Sequence, residues 1–184
     1  MRNSKLIYLI GILMGVMVLT APAGWTQPKS ETRGPIITHA FAVEKGKYGY
    51  VWKIYIEAED PDGKMLSIAS VVDQPAAGRY PTDWVYLKPQ YGKHFKGYLQ
   101  WNTFSTKAAN LREWTYITLR VSVVDKGGNA SNEVVFPFSF ESGVEDQYKY
   151  ILPAPFDEGD LQRLGYIGIN LFDPTLRKGR GGGS

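Results

Sequence analysis

The 184-residue sequence contains no cysteine and only two histidines, His39 and His94. Without a thiol there is no disulfide, no thiolate nucleophile, no cysteine for lipid attachment and no cysteine-ligated metal. The histidines lie 55 positions apart, outside any H-E-x-x-H or comparable motif. Zinc or general-base chemistry therefore has little to work with, and both are expected to be ordinary strand or surface residues. No serine stands in a G-x-S-x-G elbow. A charge excess is missing too, with 21 basic residues against 18 acidic ones.

The one long apolar run is Leu6 to Leu19, preceded by Arg2 and Lys5 and followed by Ala21-Pro22-Ala23. At 14 residues it falls short of the roughly 20 a membrane-spanning helix needs. The basic start, short apolar core and small residues at the cleavage positions read as a signal peptide over 1–23 cut after Ala23. An uncleaved anchor is the alternative, disfavoured by the short run. Removing Arg2 and Lys5 leaves 19 basic residues against 18 acidic, a net charge of about +1. That balance argues against nucleic acid or an anionic membrane as partner, and leaves the membrane a role only before cleavage. The expected location is the periplasm or the cell exterior.

What is present is aromatic and β-forming: 12 tyrosines, eight phenylalanines and five tryptophans. Residues 24–34, broken by Pro28 and Gly34, read as a flexible lead. Segments 36–43, 50–58, 65–73, 84–88, 95–103, 115–124 and 133–140 are short and rich in Val, Ile, Tyr, Phe, Trp and Thr, which predicts about seven strands. Trp52, Ile54, Ile56 and Ala58 alternate with Val51, Lys53, Tyr55 and Glu57. Ile117, Leu119, Val121 and Val123 alternate with Tyr116, Thr118, Arg120 and Ser122. Each such strand has one dry and one wet face. Pro137, within the apolar series Val134, Phe136, Phe138 and Phe140, fits only an edge or a bulge. Turn residues punctuate the chain at Pro61-Asp62-Gly63, Pro75 to Gly78, Tyr91-Gly92-Lys93 and Lys126 to Asn129. One-sided strands at short spacing predict an all-β antiparallel sandwich over 35–141. No convincing helix precedes residue 155, although Lys107 to Glu113 has room for a single helical turn.

Two of these stretches together resemble bacterial immunoglobulin-like, cadherin-like and PKD-type modules. One is Ile54 to Gly63, ending in Glu59-Asp60-Pro61-Asp62-Gly63, with the following strand Ile68 to Val72. The other is Ile117 to Asn132, containing Val124-Asp125-Lys126-Gly127-Gly128-Asn129. The resemblance covers roughly 35–141. It implies an immunoglobulin-like sandwich with an adhesive, structural or binding role. The stretch from Arg79 to Lys107 is longer and more aromatic than a minimal module of this kind.

Asp60 and Asp62 have the spacing at which two carboxylates of one turn ligate calcium, with Gly63 allowing the tight backbone. Asp125 and Asn129 can complete such a site if the strand ends meet at one pole. The simpler reading is a turn whose aspartate caps its own backbone. It is preferred because the other ligands of a full calcium site are not recognisable, so no cofactor is expected and calcium alone is left open. A catalytic carboxylate pair would need two groups opposed across a cleft, which nothing in the pattern supplies; no catalytic residue is assigned. Among the aromatics, Trp84, Phe95 and Trp101 are expected in the core, and Tyr80, Tyr86, Tyr91 and Tyr98 are the candidates for a recognition face.

Residues 142–175 read as an extension outside the module. Asp157 to Gly165 suits one or two helical turns capped by Asp157 or Asp160. Tyr166 to Phe172 alternates as a strand, with Tyr166, Ile169 and Phe172 as contact candidates. Such a strand needs a partner, either its own sheet edge, the favoured option, or another chain. Residues 176–184 are basic and glycine-rich, without core-forming residues after Leu176. The expected function is a non-enzymatic binding or structural module of the envelope or exterior, engaging a protein or polysaccharide. The alternatives are a carbohydrate-binding module using surface tyrosines and an accessory of an envelope hydrolase.

Overall fold

The alternating apolar positions close two sheets over a single core. The computed structural model describes residues 34–106, 111, 115–142 and 151–172; the segment read as a signal peptide, the expected flexible lead apart from Gly34, the turn expected from Lys107 to Glu113 apart from Leu111, and the basic tail lie outside them. In chain order the strands are β1 (Ile36–Ala42), β2 (Lys45–Gly46), β3 (Val51–Glu59), β4 (Met65–Gln74), β5 (Gly78–Arg79), β6 (Asp83–Tyr86), β7 (His94–Asn102), β8 (Tyr116–Asp125), β9 (Val134–Phe140) and β10 (Gln162–Ile167), with one 3-10 turn at Pro89–Tyr91. One sheet has the order β1-β3-β7-β10. The other has six strands in the order β2-β9-β8-β4-β5, with β6 also pairing β4. Pairing is antiparallel except for β10 on β7 and β2 on β9.

The chain changes sheet from β1 to β2, β2 to β3, β3 to β4, β6 to β7, β7 to β8 and β9 to β10. This is the Greek-key order of an immunoglobulin-like sandwich. All seven expected strands of the module are present; β2 and β5 are additional, and β10 overlaps the strand expected from Tyr166 to Phe172. Pro137 sits on β9 at a position that β2, paired only at Ser139 and Phe140, does not reach, so its missing N–H breaks no ladder. At the free edge of β1, Asn132 closes the backbone: its Oδ1 accepts from the Ile37 amide at 2.8 Å and its Nδ2 donates to the Ile37 carbonyl at 3.1 Å.

Between the sheets, Trp52, Ile54, Ile56, Leu99 and Trp101 face Ile68, Val72, Ile117, Leu119, Val123, Phe136 and Phe138. Trp52 is the centre, 4.5 Å from the Phe138 ring and 6.0 Å from Trp101, and its indole N–H donates to the Val43 carbonyl at 2.8 Å. A buried indole keeps its polar handle satisfied in this way. Phe95 and Trp101 are core residues, as expected, whereas Trp84 is not.

The extension is built into the module. No helix forms between Asp157 and Gly165; residues 154–157 make a turn that contains a cis Ala154–Pro155 peptide, and Gln162–Ile167 is already strand. An isolated helix of one or two turns is marginal in water, and the open edge of β7 offers a ladder instead. The strand ends at Ile167 rather than Phe172, because residues 168–172 leave the sheet edge and enter the gap between the sheets, burying Ile169 and Leu171 in the core. Two glycines make the docking possible. A Cβ on Gly97 would sit 2.3 Å from the Gln162 carbonyl oxygen and one on Gly165 would sit 2.2 Å from Val85 Cγ1.

Gly165→Val and Gly97→Val should each cost at least the ~1–3 kcal/mol typical of overpacking. Thermal unfolding followed by circular dichroism should show this as a lower Tm, with faster amide exchange over 162–172. A wild-type Tm in both variants would contradict this packing.

Candidate binding surface

The acidic turns come first, because the sequence made them the strongest candidates for ion chemistry. Loops 60–64, 89–93 and 125–129 do meet at one pole, tied by Asp60 N–H to the Lys93 carbonyl, Met65 N–H to the Gly92 carbonyl and Lys126 N–H to the Lys64 carbonyl, each at 2.9 Å. Asp60 is buried and its carboxylate is spent on its own turn: Oδ1 accepts from the Asp62 amide at 2.9 Å and Oδ2 from the Lys64 amide at 2.7 Å. Asp125 does the same for the second turn, Oδ1 accepting from the Gly127 and Asn129 amides and Oδ2 from the Asn129 side chain, each at 2.8 Å. Burial pushes the Asp125 carboxyl up, but the Asn129 amide and the two backbone donors outweigh it and hold the group below the usual carboxylate range. Gly63 (φ 67°) and Gly128 (φ 82°) supply the left-handed positions these turns require.

Asp62 is partly exposed, with the Lys64 ammonium 3.5 Å from its carboxylate. Among the described residues, no three His, Asp or Glu side chains come together in a way that would hold a metal ion. The donor set thus fits backbone capping better than a divalent cation. The histidines do converge. His39 Nδ1 lies 3.1 Å from Glu57 Oε2 and His94 Nε2 lies 2.9 Å from Glu57 Oε1, on the outer face of the four-stranded sheet. Adjacent strands bring them together across 55 positions of sequence, which no local motif signals.

The candidate tyrosines do not form one face. Tyr80 is buried: its hydroxyl donates to Gln74 Oε1 and accepts from the Phe172 amide at 2.7 Å, and its ring stacks on Phe172 at 5.6 Å. Burial pushes its phenol up, and the Phe172 N–H partly offsets this. Its partner is therefore the chain's own tail, as it is for Ile169, which lies in the core. Tyr91 packs edge-on against Phe95, partly buried. Tyr98 lies on the outer face of the four-stranded sheet beside Tyr55, which the extension covers with Phe156. Tyr166 is exposed on that same sheet, next to Arg163.

Tyr86 remains, 71% exposed, and Trp84, expected in the core, stands beside it at 48%. Both point outward from β6 while Val85, between them, is buried against Gly165. Across the ladder, Trp84 opposes Ala69 and Tyr86 opposes Ser67; these in turn oppose Ser122 and Val124 on β8. Two large rings thus stand along a floor of small residues on the outer face of the six-stranded sheet. Next to this floor runs a charged chain: Arg79 bonds Asp73 at 2.8 Å, Arg120 bonds Asp73 at 3.0 Å, and Arg120 reaches Glu133 at 2.8 Å. The hydrogen-bonded Arg79, helped by Arg120 against a smaller opposing effect of burial, holds the Asp73 carboxyl below its ordinary range. An apolar centre with aromatic anchors and a polar rim is the anatomy of a recognition patch. The sequence signal for Trp84 was the alternation Asp83-Trp84-Val85-Tyr86, which puts both aromatics on one face but does not say which face turns inward.

No protein-family model matches the chain, and no curated protein matches it. Among solved structures, it is similar to the PKD domain of an M14-like peptidase from a Thermoplasmatales archaeon, at 14% identity and a TM-score of 0.39, covering 60% of this chain and 98% of that one. It is also similar to the CARDB domain of a Pyrococcus furiosus protein, solved in complex with di-metal ions, at 12% identity and a TM-score of 0.34, covering 62% of this chain and 94% of that one.

Two outcomes are expected at the acidic pole. Asp125→Ala should lower stability at neutral pH by about 1–3 kcal/mol, since it strands two backbone donors and an amide. Because the folded carboxyl titrates below its unfolded value of about 3.9, this contribution is present above that pH and lost as pH falls through the lower, folded value. The urea-unfolding gap between wild type and variant should therefore begin to narrow below about pH 4 and close as pH falls through the folded value; a gap independent of pH would refute the assignment. Thermal melts with millimolar calcium and with a chelator should coincide, whereas a calcium-dependent rise in Tm would show that an ion displaces the Lys64 contact.

Proposed function

We propose that this chain is an exported, non-catalytic binding module that uses the outer face of its six-stranded sheet to engage a protein of the bacterial envelope or cell exterior. The observation that carries this reading is the exposed pair Trp84 and Tyr86 on a strand whose other face is anchored in the core. Two large aromatic side chains held in water on a rigid edge strand are the residue types that contribute most when an interface buries them. The absence of catalysis is supported by how the most promising acidic groups are used: Asp60 and Asp125 are internal caps, and Glu57 is engaged by the two histidines. Export is supported by the N-terminal pattern of residues 1–23, and among the described residues no helix is long and apolar enough to cross a membrane.

A photo-crosslinking amino acid at position 86, introduced in the producing cell, should give a discrete higher-mass adduct. The same probe at exposed Lys93, on the pole loop, should not. Trp84→Ala should remove the adduct while leaving the Tm within about 2 °C of wild type, as expected for an exposed residue. Absence of an adduct at position 86, or identical adducts at both positions, would overturn the reading.

A further inference from the structure

The opposite face of the sandwich carries a second arrangement, made of cations. On the outer surface of the four-stranded sheet, Lys53 opposes Gln100 and Tyr55 opposes Tyr98, while Arg163 opposes Tyr98 and Tyr166 opposes Gln100. The result is a checkerboard across β3, β7 and β10. The Lys53 ammonium lies over the Tyr98 ring, 5.0 Å from its centroid, and the Arg163 guanidinium lies 4.4 Å from the centroid of Tyr166. Among the described residues, neither cation has a carboxylate at ion-pair distance. The other charges on this face are engaged: Glu57 holds His39 and His94, and Lys96 donates to the Pro155 carbonyl at 3.0 Å.

Cations resting on aromatic faces lose less side-chain freedom on binding than cations extended into solvent, and they keep their donors available. Strand spacing and a two-residue offset place the backbones of Lys53 and Arg163 roughly 12 Å apart, with the ammonium carried over Tyr98 and the guanidinium over Tyr166. Between them lie the Gln100 carboxamide and the phenols of Tyr98 and Tyr166, all of them hydrogen-bonding groups. The geometry points to an anionic polysaccharide built of uronic acids as the ligand of this face: spaced carboxylates meet Lys53 and Arg163, and sugar hydroxyls meet Gln100 and the tyrosines. Arg163 favours a carboxylate because its planar donor fork matches the two oxygens. A nucleic acid is disfavoured by the chain's charge balance, 21 basic residues against 18 acidic, which lacks the basic excess that phosphate binding draws on. The six-stranded sheet takes no part, so Trp84 and Tyr86 can fail as a contact site without affecting this site, and the reverse also holds.

The test is titration of the full chain with polygalacturonate, with its fully methyl-esterified form and with oligo-dT, by calorimetry at low salt. Polygalacturonate should bind, the ester and oligo-dT should bind at least tenfold more weakly, and binding should weaken as salt rises. The double variant Lys53→Met/Arg163→Met should bind at least tenfold more weakly at unchanged Tm, and Tyr166→Phe should weaken binding by a smaller factor. No binding of polygalacturonate, equal binding of the ester, tighter binding of oligo-dT, or full binding by the double variant would each overturn the inference.

Discussion

Residues 168–172 bury Ile169 and Leu171 between two sheets without belonging to either, so their peptide groups must be satisfied by side chains. The structure meets that constraint bond by bond. The Trp101 indole donates to the Ile169 carbonyl at 3.0 Å, Ser105 Oγ to the Leu171 carbonyl at 2.6 Å and Gln74 Nε2 to the Phe172 carbonyl at 3.0 Å. The Gly168 amide donates to Asp83 at 3.2 Å and the Phe172 amide to the Tyr80 hydroxyl at 2.7 Å. These partners come from β4, β6, β7 and the loops after β5 and β7, so a single segment draws residues of both sheets together.

The orientation of β6 follows from this. With β10 ladder-paired to β7 and Gly165 leaving room for Val85, the inward face of β6 is fixed as Asp83 and Val85. Trp84 and Tyr86 then have no place but solvent. The outer face of the four-stranded sheet is affected in the same way. The chain that leads into β10 places Phe156 on Tyr55, and β10 itself brings Arg163 and Tyr166 beside Tyr98 and Gln100. Both candidate recognition faces thus depend on a stretch that reads, in sequence, as an appendage.

The acidic turns illustrate a different division. Asp60 and Asp125 share one pole, a necessary condition for an ion site, yet each carboxylate accepts the amides of its own turn. A carboxylate satisfied by backbone donors of its own turn stabilises the loop itself. The resemblance of both turns to a module family therefore reports the architecture of the pole. Local spacing made that much legible, since in both turns an aspartate stands three residues before a glycine, which is turn chemistry whatever surrounds it.

By itself the sequence determined the all-β class, the seven principal strands, the two-faced alternation along them and the turns between them, because period-two alternation and turn residues act over a few neighbouring positions. Trp52 and Trp101 in the core and Pro137 at an unpaired position were legible for the same reason. Only the tertiary structure decided what depends on partners distant in the chain: the parallel docking of β10, the burial of Tyr80 under Phe172, the convergence of His39 and His94 on Glu57 and the exposure of Trp84. A strand such as Asp83-Trp84-Val85-Tyr86 offers two faces, and alternation cannot say which is dry. That choice belongs to a glycine 80 positions further along, whose missing side chain makes room for Val85.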